Sequence, residues 1–473
     1  MKVLMAASEI DPLAKTGGLA DVASSLPKAL KKQGIDIVLV MPYYKRFVDK
    51  TGFNIRETDY AFEVKLANVN YKGKFYVTQL SEVPVYLLEN DFFYDRDNLY
   101  GTSTGDYPDN GIRFGFFCYG ILELAKFLKD IDILHLNDWQ TGLAPLIKLR
   151  KYEELKSIKT LISIHNLAYQ GIFEKKILED LNLGYEDFHM DGVEFFGKVN
   201  FLKAGIVYSD FINTVSPTYA QEIQTPEYGC GLDGILRKKR DVLFGILNGI
   251  DYEVWNPEKD SELYFNYSAN NLFEGKQINK LKLLEEIGLK DAQKPLFGIV
   301  SRLAEQKGFD LFPSIIEHIA KENLNMVVLG AGDKVYQDMF LDISKRYSNI
   351  FVKIGFDPVL AKRIYASSDF FLMPSKYEPC GLGQLIAMRY GTIPVVRSTG
   401  GLKDTVKDID QGGYGVVFEN YEPLELLKGI KRAISLYENK KLFEECVRKV
   451  FSLDFSWATS AMEYIKLYRK MLS

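Results

Sequence analysis

Four stretches of this chain carry groups suited to holding a phosphorylated ligand and breaking a bond beside it. In "SEIDPLAKTGGLADV" (Ser8 to Val22), Lys15 stands just before the paired Gly17 and Gly18 and the start of a helix-period segment. Glycines there let the backbone approach a ligand, and unpaired amides at a helix start favour an anion. Lys15 adds a full positive charge; the plain alternative is a strand-to-helix turn with a solvated lysine. "DILHLNDW" and "TLISIHN" place His135 and His165 at the ends of apolar runs, with Asp138 and Asn166 close behind. Carboxylate, amide and imidazole together suit a polyhydroxylated ligand. His135 reads better as a core histidine, whereas the polar neighbours of His165 favour a ligand role. "GIVSRLAEQKGFD" supplies Arg302 and Lys307, two fixed cations that suit a diphosphate, because one charge cannot neutralise a leaving group that develops two. Surface salt bridges are the alternative there. In "PSKYEPCGLGQLIAMRYG" Glu378 precedes Gly381 and Gly383, and in "RSTGGLKDTV" Gly400 and Gly401 open another helix. Glycine turns of this kind at strand ends imply a phosphate-bearing ligand.

Strands and helices must present these groups. The runs "KVLMAAS", "DIVLVMP", "DILHLN", "TLISIH" and "FINTVS" alternate with helix-period segments such as Gly111 to Lys129, the pattern of a mostly parallel sheet. Between about Phe62 and Leu88 three short strands look antiparallel, an edge or flap on that sheet. A second series, "PLFGIVSRL", "NMVVLG", "IFVKIG", "DFFLMPS", "TIPVVRS" and "GYGVVF", repeats the strand-then-helix rhythm. Two series predict two Rossmann-like domains. Residues 1–247 form the first, 248–455 the second, and the terminal helix 456–473 is expected to pack back on the first, with Trp457 as its anchor. Two such domains facing each other predict a cleft, a common ligand site.

The composition excludes several classes. Hydrophobic residues at 47% and charged residues at 26% describe an ordinary globular chain, so disorder is not expected. A net charge of -4 gives no footprint for nucleic acid, and the basic run "RKKR" at Arg237 to Arg240 reads as a solvated loop. No apolar window reaches the length of a membrane span. The four cysteines show no Cys-x-x-Cys spacing, which fits reduced thiols in a cytoplasm. Three Asp-x-Asp pairs, at 95 and 97, 130 and 132, and 408 and 410, end no apolar strand and read as surface. No metal and no cofactor are expected.

In order along the chain, "KTGGLADV", "HLNDWQTGL", "SIHNLAYQG", "NTVSPTYAQEI", "LNGID", "SRLAEQKG", "EPCGLGQL" and "STGGLKDTV" resemble the bacterial glycogen synthases and plant starch synthases over nearly the whole length. The resemblance implies an α/β fold of the GT-B type. It also implies retaining transfer of glucose from ADP-glucose to the non-reducing end of an α-1,4-glucan, glycogen among them. Asp138, His165, Arg302, Lys307 and Glu378 then match the family's catalytic positions. Lys15, Gly17, Gly18, Asp21, Asn166, Asn248 and Gln306 match residues around the nucleotide sugar, as do Cys380, Gly381, Leu382, Thr399 and Gly400. Phe356 of "KIGFDP" falls where the family offers an aromatic face to adenine, often a tyrosine. Many retaining GT-B enzymes carry a second glutamate eight residues after the first; here that position is Ile386, as in the bacterial branch. The competing readings are a GT-B transferase using UDP-glucose or another acceptor, and a non-catalytic glucan- or nucleotide-binding protein.

Overall fold

The run Lys2–Ala6 (β1) is buried on both faces, which only a parallel sheet covered on each side allows. In the computed structural model, which describes residues 1–473, β1 lies inside a nine-stranded sheet. Its companions are Asp36–Pro42 (β2), Arg56–Leu66 (β3), Val69–Leu80 (β4), Val83–Glu89 (β5), Ile133–Asn137 (β6), Lys159–Ile164 (β7), Phe211–Thr214 (β8) and Leu243–Gly245 (β9). The order is β9-β8-β7-β6-β1-β2-β5-β4-β3. Every pairing from β9 to β5 is parallel, and β4 and β3 extend the edge in antiparallel fashion. The segment expected as three short antiparallel strands is thus a pair of long ones plus a strand, β5, that joins β2 in parallel. Its apolar run "VPVYLLE" gains two-sided cover there.

The second sheet holds Leu296–Val300 (β10), Asn325–Gly330 (β11), Ile350–Ile354 (β12), Phe370–Met373 (β13), Ile393–Arg397 (β14) and Val416–Phe418 (β15). Its order is β12-β11-β10-β13-β14-β15, parallel throughout. The chain divides into two compact units: Met1–Val215, Ala220–Ile246 and Trp457–Ser473 in one, Ser216–Tyr219 and Leu247–Ser456 in the other. In each sheet the winding reverses once, between β1 and β6 in the first and between β10 and β13 in the second. Loops leaving the strand ends at such a reversal diverge to opposite faces and leave a crevice.

Among the helices of the first unit, Gly18–Lys32 (α1) begins right after the "KTG" turn, and Asn110–Leu128 (α2), rich in aromatic and aliphatic residues, is buried nearly all round. The second unit opens with Leu272–Ile287 (α3), whose Lys276 is buried. Its ammonium donates to the carbonyls of Ala366, Ser368 and Tyr390 and to Thr392 Oγ1, and burial pulls its pKa down to about 7. Shorter helices, Gly383–Arg389 (α4) and Gly400–Thr405 (α5), follow β13 and β14. No helix is long and apolar enough to cross a membrane.

The last helix, Trp457–Leu472 (α6), belongs to the first unit, and a buried polar chain ties it to the sheet. Asn213 directs its amide NH2 to Tyr464 (3.0 Å), so its Oδ1 accepts from the Ser163 hydroxyl. Ser163 Oγ therefore accepts from His135 Nε2–H (2.6 Å), and His135 Nδ1 accepts from the Tyr468 hydroxyl (2.6 Å). Burial pulls the His135 pKa down to about 3, so the ring is neutral, as this pattern requires. His135 is a core residue.

Two surface readings need correction. Arg237 and Lys238 end a helical turn, Asp233–Lys238, and are solvated there without being loop residues. Asp408 is buried: it accepts from Arg432 (2.6 Å) and from the amides of Asp410 and Val417, because a carboxylate that bridges a turn and a strand cannot stay in water. Tyr468→Phe leaves His135 Nδ1 buried without a donor, and urea unfolding is expected to show a loss of about 1–3 kcal/mol. An unchanged midpoint would mean that the chain of hydrogen bonds does not fasten α6.

Candidate functional site

The loops at the two reversals carry most of the candidate residues of the sequence motifs, and His165, Asn166, Asn248, Phe356, Thr399 and Gly400 follow other strands. After β1, Glu9 turns inward and is buried. Its carboxylate accepts from the amides of Thr16 and Gly17 (3.2 Å to Gly17), from Thr16 Oγ1 (3.0 Å) and from the Tyr100 hydroxyl (3.1 Å). Burial raises its pKa against the pull of these donors. The Gly17 amide, expected to face an anionic ligand, is thus already occupied by a protein carboxylate. Glu9 went unnoticed in the sequence because one acid beside a strand end carries no pattern. Gly17 and Gly18 remain informative: a Cβ built on either meets nothing within 4 Å, so neighbouring chain does not require glycine at these positions. Space left open beside a helix start suits a ligand that comes close to the backbone. Lys15 is exposed and paired with Asp21 (2.6 Å), with Asp11 at 3.7 Å. Burial lowers its pKa, but these carboxylates outweigh that and hold the ammonium charged.

Asp138 and His165 leave β6 and β7 side by side. Asp138 sits at φ 56, a left-handed backbone that non-glycine residues adopt at a cost and that clusters at functional sites. Its Oδ1 accepts from the His165 amide (2.8 Å), and the Asn166 amide also donates to the carboxylate. Burial overrides both donors and pushes its pKa up to about 7. The His165 ring bonds Asn137 Oδ1 through Nε2 (2.8 Å), and burial pulls its pKa down to about 4, so it is neutral at physiological pH. Asn166 spends its side-chain oxygen on the Ala168 amide (3.1 Å), a local turn that leaves its NH2 for a ligand.

In the second unit, Lys307 Nζ meets Glu378 at 2.6 Å, and Ser375 Oγ donates to the same carboxylate oxygen at 3.0 Å. Glu378 is 5% exposed, so this pair is shielded from solvent on its acidic side. The meeting depends on Gly308, which has φ +82 and on which a Cβ would lie 2.0 Å from the Pro374 carbonyl. Only glycine lets the loop after β10 touch the end of β13. Lys307 itself ends a 3₁₀ turn, Glu305–Lys307, just before Gly308. Arg302 is exposed and bonds only the Gln306 amide oxygen (3.1 Å), so it is the cation of this group that no carboxylate pairs. The loop at Glu378–Gly381 is locked against the next one: at Gly400 (φ +45) a Cβ would fall 1.9 Å from the Glu378 carbonyl, and the Gly401 amide donates to that carbonyl (3.1 Å). The buried Gln384 amide clamps the carbonyls of Cys380 and Gly381. Helices α4 and α5 are one to two turns long, so Leu382 and Thr399, which precede them, offer backbone groups and little macrodipole. Cys380 is buried with its thiol pushed up to about 12, which rules it out as a nucleophile and leaves it a shape-filling neighbour of Asn248. Asn248 is buried and its Oδ1 has no partner within the protein. Phe356, 92% exposed on the turn after β12, touches none of these groups. No group of three or more histidine, cysteine or acidic side chains is placed to hold a metal ion.

Comparisons with known proteins identify the family and the fold. Residues 2–238 match the model of the starch synthase catalytic domain, and residues 282–450 match that of the group 1 glycosyl transferases. The glycogen synthase of Aquifex aeolicus is 49% identical, with both chains covered completely. That of Geotalea daltonii is 47% identical over all of this chain and 99% of its own. Among solved structures, the catalytic domain of starch synthase IV from Arabidopsis thaliana, bound to ADP and acarbose, superposes with a TM-score of 0.91 at 34% identity, covering 100% of this chain and 99% of that one. Sucrose-phosphate synthase from Thermosynechococcus elongatus, at 15% identity and a TM-score of 0.62 over 100% and 99% of the two chains, shares the fold.

The raised Asp138 pKa carries a stability consequence. A carboxyl whose folded pKa lies above its unfolded value contributes full stability below about pH 4 and loses it as pH rises through about 7. Asp138→Asn, which tolerates the left-handed backbone, should match the parent in urea at pH 4 and exceed it by about 1–2 kcal/mol at pH 8, after allowance for its partial exposure. Equal stability at both pH values would refute the shift.

Proposed function

The chain belongs to the family of glycogen synthases and starch synthases, and from that premise we propose how its groups carry out the family reaction, transfer of glucose from ADP-glucose to the non-reducing end of an α-1,4-glucan. The observation that carries the proposal is the Lys307–Glu378 pair beside Arg302 at the reversal of the second sheet. Rupture of the anomeric bond builds negative charge on the departing diphosphate. Arg302 and Lys307 stabilise that charge, each such donor being worth about 3 kcal/mol, and Gln306 orients Arg302. As the diphosphate draws Lys307 away, Glu378 is left facing the glucosyl group, where positive charge develops.

In the first unit, Asp138, His165 and Asn166 bind the hydroxyls of the transferred glucose, and Asn248 of the second unit uses its unpartnered Oδ1 in the same way. Lys15 and Asp21, with the open backbone at Gly17 and Gly18, take the phosphate and sugar side of the donor. Cys380, Gly381, Leu382, Thr399 and Gly400 form the backbone cradle for the nucleotide sugar, and Phe356 stacks on the base. The acceptor attacks the face from which ADP leaves, and a phosphate oxygen of the leaving group takes the acceptor proton, so the anomeric configuration is retained. The four free cysteines support work in the reducing cytoplasm.

Release of nucleoside diphosphate from ADP-glucose and UDP-glucose, with and without glycogen and in the presence of a chelator, tests this reading. ADP release that depends on acceptor is the expected result; UDP release alone would overturn the choice of donor, and release of neither would favour a binding protein. Lys307→Ala should lower kcat about 100-fold with the fold retained. A β-linked product would refute same-face attack.

A further inference from the structure

We propose that Asn137 is a positioning residue that fixes the tautomer of His165, so that this imidazole meets the sugar as a hydrogen-bond acceptor and selects a hydroxyl able to donate. The inference rests on the reading of His165 as a sugar contact and extends it to a residue that touches no substrate. It starts from a backbone carbonyl. Ala6, at the end of β1, offers only an acceptor, and Asn137 Nδ2 donates to it at 2.9 Å. The amide group of Asn137 therefore has one allowed orientation, and its Oδ1 must be the atom 2.8 Å from His165 Nε2. Two acceptors cannot bond, so Nε2 carries the proton. A neutral imidazole has only one N–H, and His165 is neutral because burial pulls its pKa down to about 4. Nδ1 is left with its lone pair, able to accept and unable to donate.

The arrangement is rigid at every link. Asn137 is the last residue of β6 and is fully buried, and β1 lies beside β6 in parallel register, which fixes the distance to Ala6. Asp138 holds the His165 backbone from the other side through the amide bond at 2.8 Å. A second ordered histidine, His135, also carries its proton on Nε2, but its two nitrogens are both consumed inside the core. Only at His165 does an asparagine set the tautomer of a half-buried ring. The consequence for specificity is chemical: an alcohol facing Nδ1 gains a hydrogen bond, whereas an ether oxygen or a fluorine at that place gains none.

Two measurements test the assignment. Nitrogen-15 NMR of the histidine-labelled, unsubstituted protein reads the tautomer without substrate. The His165 signals are identified as those that disappear in His165→Ala, and the signals of the exposed His189 and His318 as those that disappear in His189→Gln and His318→Gln. The expected result is a proton on Nε2 of His165 in the parent and a mixture of tautomers in Asn137→Leu. In kinetics, Asn137→Leu should lower kcat/KM for ADP-glucose about tenfold, and should have no further effect in a His165→Ala background. A proton on Nδ1 in the parent would overturn the proposal, as would an equal loss from Asn137→Leu whether or not His165 is present. An inactive parent with His165 protonated on Nε2 would count against glucosyl transfer while upholding the hold of Asn137 on the ring.

Discussion

Among parallel strands the loop that follows each strand leaves from the same edge, and a crevice opens there where the winding reverses. That constraint governs both halves of this molecule. Beside the reversal between β1 and β6 stand the Lys15 loop, Asp138 and, one strand further, His165. Beside the reversal between β10 and β13 stand Arg302, Lys307 and Glu378. In each unit the geometry brings a cation and a carboxyl group to the strand ends beside the reversal. The groups are first neighbours in the sheets although more than a hundred residues separate Lys15 from Asp138.

Most of the charges are already compensated inside the protein. Lys15 faces Asp21, Lys307 faces Glu378, and the amides of Thr16 and Gly17 face Glu9. Arg302 bonds only an amide oxygen. Within each unit, then, the cation of these pairs is held by a carboxylate of the same unit and is not presented bare. Asp138 is the exception, since only backbone amides support its carboxyl, whose pKa burial pushes up to about 7.

The glycines divide by function in a way that their spacing does not reveal. Gly308 and Gly400 serve the fold, since each has a positive φ and lets one loop touch the backbone of another. Gly17 and Gly18 have open space where a side chain would be. All four stand in similar Gly-containing turns at strand ends, and only the contacts around each show which are structural.

Much was legible in the sequence because it was local. Runs of β-branched and aliphatic residues at a period too short for helices marked the parallel strands, and glycine turns after them marked the edge from which the strand-end loops leave. The ordered motifs named the family, and Asp138, His165, Arg302, Lys307 and Glu378 stand in loops that follow strands, as the apolar runs before them predict. What the sequence left open depended on partners distant along the chain. Glu9 is one acid among many until folding brings Tyr100 and the Gly17 amide to it. Asp408 looked like surface until Arg432 closed over it. His135 and His165 end similar apolar runs, yet one is consumed by Ser163 and Tyr468 and the other is set by Asn137 through a carbonyl of β1. Periodicity fixes which way a side chain faces, and so determines the elements and the edge they share. Protonation, tautomer and charge pairing depend on which donor and acceptor meet across the sheet, and only the tertiary structure decides that.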